Sequence, residues 1–469
     1  MRSRLLLGLL AISAAVCAAA PKYVFVFIGD GMSMPQRMTT EEFARLSGYG
    51  PLAMNTLRYQ SSTRTRAANA IVTDSAAAAT AIACGEKANN GALGVAPDGR
   101  HLESVAEFAK KRGMKVGIMT TVPIVHATPA GFYAHRPNRG DSYGIALDLL
   151  ASKFDFFAGG GVYDKYDDKS HAEYRGNIFK LAEKDGFTIA RDKASFAALK
   201  PGCGKAWGVF SDYGLTFAID GEETYPDLAA MVSKAIELLE GPDGFFIMAE
   251  GGEVDHCAHA NDAAAVLREI ISMDAAVKVA VKFMERHPDE TLVIVTGDHE
   301  TGGMAMGFAG LGYKFQVGLL AHQKCSAEVF SNRIAKMLEQ NINLTFDEVK
   351  PLVEENFGLV FDAEKATTEE KKQLRLNAGE IRDLEKAFRK DVEFVRARQR
   401  ETTKHDVQRR RQFAAACRRI LSNHAGVGWS SGAHTALPTM TTAGGCGAEN
   451  FTGFLENTDI STRLKALLK

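Results

Sequence analysis

The feature that most constrains this chain is a recurring apolar run, too short for a buried helix and too unbroken for a strand with one wet face. It occurs as YVFVFIGDG, KVGIMTT, FDFFAGGG, FFIMAEGG and TLVIVTGDHE. Such runs suit strands covered on both faces, and between them lie segments of helical period, His101 to Arg112 and Asp262 to Arg286. Buried strands alternating with helices predict an α/β fold with a central, mostly parallel sheet flanked by helices. In an open sheet of that kind ligands bind beyond the carboxyl ends of the strands. Asp30 closes the first run, Glu250 another, and Asp298 with His299 a third. Any one of these alone reads as a turn former or a helix cap.

The 469 residues, 46% of them hydrophobic, suffice for a large core with an added module. With 56 basic and 57 acidic residues the net charge is −1, which gives no global attraction to nucleic acid or anionic lipid. No nucleic-acid-specific binding is expected, and any anion site must be built locally. Residues 1–20 carry Arg2 and Arg4, an apolar run from Leu5 to about Val16 and then small residues, the layout of an export signal. The run is too short for a comfortable membrane span, so no transmembrane segment is expected once it is removed. The mature protein is expected in the periplasm or outside the cell, with lipid anchoring at Cys17 left open. Six cysteines follow, Cys84, Cys203, Cys257, Cys325, Cys417 and Cys446, at spacings that select no pairing. From about residue 321 to 425 the chain is rich in charge and helix formers, as in EEKKQLRLNAGEIRDLEKAFRK, and shows no clear strand. This reads as a helical insertion with solvated charged faces, dividing one core into residues 21–320 and 426–469.

Within EGGEVDHCAHAND, Asp255 and His259 are four residues apart and share a face if the segment is helical. A carboxylate and an imidazole so placed can hold one borderline cation such as zinc; an exposed helix pair is the ordinary alternative. His434 of SGAHT can complete that set, and Asp30, Asp298 and His299 can form a second. Sites with three protein ligands leave open positions of the catalytic kind. In VTDSAAAATAIACG an acid and a hydroxyl introduce an alanine-rich helix. Ser75 is either its cap or a nucleophile at the positive end of its dipole, and with Asp74 as the cap the Ser75 hydroxyl is free. By themselves, Arg139 in RPNRGD reads as a loop arginine paired with Asp141, and Thr128 before a proline as a turn residue.

Taken in order, IGDGM, TDSAAAATA, KANNGALGV, HATPAGFYAHRPNRG, EGGEVDHCAH, VTGDHETGG and GAHT resemble the motifs of the alkaline phosphatases. The resemblance covers roughly Lys22 to Met306 and Gly426 to the C-terminus and leaves the helical insertion out. It implies metal-dependent hydrolysis of small-molecule phosphate monoesters through a covalent phosphoserine, with two zinc ions and one magnesium ion. Asp30 would bridge a zinc and the magnesium, Asp298 and His299 would complete that zinc site, and Asp255, His259 and His434 would hold the other zinc. Ser75 would be the nucleophile, Arg139 would grip two phosphate oxygens, and Glu250 and Thr128 would join Asp30 at the magnesium. A homodimer is implied by the family alone.

One departure concerns the third metal. His126 stands where the best-known bacterial members carry aspartate, and His256, beside Asp255, where they carry lysine; animal-type enzymes resemble this chain at both positions. Magnesium favours oxygen ligands, so an imidazole there should loosen its site. Both histidines are expected around the metals or the phosphate. Two other functions share parts of this constellation: a phosphodiesterase or sulfatase with the same two-metal core, and an exported metal- or phosphate-binding protein without turnover.

Overall fold

The computed structural model describes residues 20–221, 224–400 and 412–469. The expected export signal, Cys17 included, lies outside the described residues except for Ala20. One sheet holds β1 (Tyr23–Gly29), β2 (Tyr59–Arg64), β3 (Lys115–Pro123), β4 (Phe156–Gly160), β5 (Phe187–Ala190), β6 (Lys205–Val209), β7 (Phe245–Gly251), β8 (Thr291–Gly297), β9 (Thr439–Gly445) and β10 (Gly453–Glu456). Their spatial order is β10-β2-β9-β8-β1-β7-β3-β4-β6-β5. Only β9 runs against the others. The five apolar runs are β1, β3, β4, β7 and β8, at the centre of this α/β sheet.

Strands β1, β7 and β8 are buried at every residue, which explains why their sequences do not alternate. Phe25 and Phe27 enter one apolar layer and Val24, Val26 and Ile28 the other, so β1 is covered on both faces. Gly29 pairs level with Gly251 on one side and Gly297 on the other. Three adjacent strands therefore end together: Asp30 and Asp298 follow the level glycines, and Glu250 precedes its own, level with Ile28.

Helices α1 (Ser75–Cys84) and α2 (Glu253–His259) carry site residues, as does the short turn of helix Ala127–Ala130, and α3 (Ala263–Arg286) follows α2. Beyond them lies the helical segment, with α4 (Ala327–Gln340), α5 (Phe346–Phe357), α6 (Ala378–Arg400) and α7 (Gln412–Ala425). Phe330, Phe346, Phe388 and Phe413 pack against one another across its helices. Buried Phe330, Phe413 and Ile420 belong to the same apolar layer as Phe25, Phe27 and Met273 of α3, so the segment shares the core of one sheet face. Its ends are tied together, because Met304–Met306 pairs antiparallel with Val427–Trp429. A second ribbon sets His434 opposite Thr301 and returns the chain to the strand ends. Among the described residues no helix is long and apolar enough to cross a membrane, and Cys84, Cys203, Cys257, Cys325 and Cys417 are free thiols.

Candidate active site

At the level ends of β1, β7 and β8, Asp30, Glu250, Asp298 and His299 meet with no exposed surface. His299 Nε2 lies 3.2 Å from Asp30 Oδ1 and 3.2 Å from Asp298 Oδ2. The N–H groups of Gly31 and His299 occupy Asp298 Oδ1, and the Thr120 hydroxyl donates to Glu250 Oε2. Asp30 Oδ1, Asp298 Oδ2 and Glu250 Oε1 are left buried with no hydrogen-bond partner among the described residues. An orphaned polar atom in such surroundings costs about 1–3 kcal/mol, more when charged. These atoms converge: the donors of Asp30, Asp298 and His299 lie within 4.8 Å of one another, as do those of Asp30, His126 and Glu250. What the hydrogen bonds leave over is what a cation would take.

Asp255, His259 and His434 form a further group of donors. Asp255 and His259 are one turn apart on α2, with Nε2 3.3 Å from Asp255 Oδ2. Backbone carbonyls orient both imidazoles: His259 Nδ1 donates to Gly432 O and His434 Nδ1 to Thr73 O, each at 2.8 Å. A neutral ring with its proton on Nδ1 has only a lone pair on Nε2, yet the two Nε2 atoms stand 3.1 Å apart. Lone pairs so close repel unless positive charge lies between them, which is the arrangement of a ligand pair.

Helix α1 begins beside the buried group. Asp74 caps it, its Oδ1 accepting from Ala77 N–H at 3.0 Å, so the Ser75 hydroxyl is not spent on capping. Ser75 Oγ lies 3.1 Å from His299 Nε2. Arg139 does not pair with Asp141, which Arg136 and His171 occupy. Instead its guanidinium donates to Asp74 Oδ2 and to His126 Nε2, each at 3.1 Å. One carboxylate thus orients both the serine helix and the arginine. Because a guanidinium only donates, His126 Nε2 accepts, and the neutral ring keeps its proton on Nδ1, 3.8 Å from Asp30 Oδ2. In that tautomer His126 turns a buried Nδ1 proton with no hydrogen-bond partner among the described residues towards the third group, whose oxygens come from Asp30, Glu250 and Thr128; the Thr128 hydroxyl donates to Asp30 Oδ2 at 3.1 Å. His256 stays outside all three groups, its ring centre 5.9 Å from that of His126 and its Nδ1 bonded to Glu253 at 2.7 Å.

Sequence reasoning missed Thr301. Its hydroxyl donates to Asp255 Oδ1 and, having one proton, accepts from His299 Nδ1 at 3.3 Å. That fixes His299 with its Nε2 lone pair towards Asp30, Asp298 and Ser75, and it joins the two donor groups. The signal was present, since residues two apart on extended chain share a face and Thr301 follows His299 by two. Gly31 explains the glycine of IGDGM: at φ +72° a Cβ there would lie 2.8 Å from Thr301 Oγ1 and 2.9 Å from Asp255 Oδ1.

Burial, then the negative charges of Asp298, Asp255 and Glu250, push Asp30 well above the usual carboxylate range. Burial, then Asp255, does the same to Asp298, and burial pushes Glu250 up to about 7. Burial also holds His126 and His299 well below the ordinary imidazole value. Asp255 goes the other way: burial opposes its charge, but the imidazoles of His259, His299 and His434 outweigh burial when they carry positive charge. Acids driven towards neutrality by one another's charge need positive charge at the centre, and divalent cations would hold them ionised. For His256 burial is outweighed by the Glu253 hydrogen bond, which brings it up to about 9.

The family model described as alkaline phosphatase matches residues 21–469, a span that takes in the helical segment as well. A curated relative, alkaline phosphatase 3 of Bacillus subtilis (strain 168), is 30% identical over 460 residues, covering 95% of this chain and 89% of the relative. Among solved structures, a cold-active alkaline phosphatase from the psychrophile Shewanella sp. aligns with a TM-score of 0.77 at 26% identity, covering 95% of this chain and 100% of that one. A histidine-to-glutamate mutant of the alkaline phosphatase of the Antarctic bacterium TAB5, with magnesium bound in its M3 site, aligns with a TM-score of 0.64 at 25% identity, covering 96% and 99%.

Proposed function

The chain belongs to the alkaline phosphatase family, whose activity is metal-dependent phosphate monoester hydrolysis, and from that premise we propose that it releases alcohol and inorganic phosphate through a phosphoserine formed on Ser75. The observation that carries this reading is Ser75 Oγ, uncommitted to capping and 3.1 Å from His299 Nε2 at the start of α1. Asp30, Asp298 and His299 would hold one zinc, Asp255, His259 and His434 another, and Asp30, Glu250 and Thr128 a magnesium, and when bound these ions supply Lewis acidity and neutralise charge on oxygen.

The residues position the rest. Ser75 sits at the positive end of α1, where negative charge on its oxygen is favoured. That oxygen attacks phosphorus in line, the phosphorus–ester oxygen bond breaks on the far side, and the alcohol leaves past Asp255, His259 and His434. Arg139 presents a fork to two phosphoryl oxygens, held by Asp74 and His126. Water entering where the alcohol left then cleaves the serine–phosphate bond, and phosphate departs. The reading includes a homodimer, as the family resemblance implies, and export directed by residues 1–20.

The test is hydrolysis of a chromogenic phosphate monoester against the matching diester at alkaline pH, before and after chelation and with zinc and magnesium restored. Chelator-sensitive, zinc-restored monoesterase activity with acid-trapped phosphoserine at Ser75 supports the reading. Preference for the diester would move the protein to the phosphodiesterases, and metal-loaded protein without turnover would make it a binding protein.

A further inference from the structure

Two cavities share Arg418 in their walls, and His259 lines the smaller of them. The smaller, about 220 Å³, is bounded by His256, His259, Glu328 and Arg418. The larger, about 870 Å³, lies between α6, α7 and the ribbon that closes the helical segment. Its wall includes Asn261, two residues beyond His259, with Lys386, Lys390, Arg419 and Trp429. Arg418 is thus common to both walls, with Glu328 beside it in the smaller one.

The wall is strongly one-signed. Among the described residues it carries Lys386, Lys390, Arg418 and Arg419 against a single acid, Asp383, which pairs with Arg419 at 3.4 Å. Lys386 and Lys390 are one turn apart on α6 and share a face. Cations gathered in a concave wall of an otherwise neutral protein attract a small anion far more than the same charges scattered over a surface. Two residues of the wall carry a buried polar atom with no partner among the described residues, Asn261 Oδ1 and Trp429 Nε1. The indole is fixed in place against Gly302, where a Cβ would lie 2.5 Å from the ring.

An alcohol expelled in line from Ser75 leaves over the Asp255, His259 and His434 group, and these cavities come next on that side. We propose that the pocket binds the leaving-group part of substrates whose alcohol carries a second anionic group, a carboxylate or a phosphate. The protein then selects phosphate monoesters of organic anions over those of neutral alcohols. This rests on the phosphatase reading and assigns its substrate class.

The experiment compares full-length, zinc- and magnesium-restored enzyme with the Lys386→Glu/Lys390→Glu variant at low ionic strength. The substrates are an aryl phosphate bearing a carboxylate on its ring and an uncharged aryl phosphate. Reversing two charges should lower kcat/KM for the carboxylated ester about tenfold, chiefly through KM, and change the neutral ester less than about twofold. Added salt should erase the difference. If the charge-reversed protein shows no cooperative melting, Lys386→Gln/Lys390→Gln carries the test, with about a threefold selective loss expected. Metal-loaded wild type that hydrolyses both esters, with variants that treat them alike, overturns this proposal alone. Wild type that hydrolyses neither overturns the phosphatase reading and the proposal with it.

Discussion

Asp30, Asp298 and His299 are sealed beneath the strand ends with no exposed surface. In the companion group of equal size, His259 keeps 38% of its side chain exposed and His434 14%. The sealed group is placed by the register of three adjacent strands, the open one by a single helical turn and a returning ribbon. This difference matches what each side must do. The sealed group faces Ser75, which never leaves, and its dryness strengthens every interaction with charge on that oxygen. In the proposed reaction the open group would face the path of a departing alcohol and an incoming water, which a closed wall would block.

The sharpest test of this division separates the nucleophile from the metals. Ser75→Ala should lower kcat on the order of 10⁴–10⁶-fold, since removing a nucleophile typically costs that much. Bound zinc, measured by elemental analysis, should stay near wild type. Activity within tenfold of wild type would mean that the sealed side does not supply the attacking group.

Removing one ligand from each side should give unequal results. His299→Ala empties the space of a fully buried ring beside Asp30 and Asp298, and large-to-small changes in a packed interior cost on the order of 2–5 kcal/mol, so its melting temperature should fall well below that of His259→Ala. His259→Ala should instead mainly weaken zinc retention, its site being open to water. Under graded chelation of wild type the open group should empty first. Equal melting temperatures for the two variants, or loss of both zincs in one step, would break the comparison.

Thr301 probes what the two groups share. Thr301→Val keeps the shape but removes the hydroxyl that binds Asp255 and His299 together. Outer partners of metal ligands typically contribute 10–100-fold in affinity, so zinc binding at both groups should fall by about that factor. An effect confined to one group would show that the bridge does not couple them.

How far the sequence carried this reading follows from the same contrast. The central strands were legible because burial on both faces removes polar alternation, whereas β2 (YQSSTR) and β9 (TMTTAGG) have no apolar run to read. Asp255 and His259 were legible through helical spacing and His434 as a distant imidazole, but its pairing with Thr301 came from the structure alone, because the whole helical segment lies between them. Asp74 was read as a cap; that it also holds Arg139, 65 residues away, follows from tertiary structure alone. The described residues between 321 and 425 carry helices, yet the aromatic residues there gave no sign in the sequence that they complete the layer over β1.

The smallest effect expected concerns the third group. His126 accepts from Arg139 on Nε2, so its neutral ring turns a proton, not a lone pair, towards Asp30. His126→Asp would offer an oxygen in place of that proton, and magnesium prefers oxygen. Magnesium retention after dialysis should therefore rise, while kcat shifts only a few-fold, because the sealed and open groups are untouched. The substitution also removes the acceptor for one Arg139 N–H, so KM for the phosphate ester should rise modestly even as magnesium tightens. Unchanged magnesium retention would instead make the Asp30, Glu250 and Thr128 oxygens sufficient by themselves, with His126 serving the arginine alone.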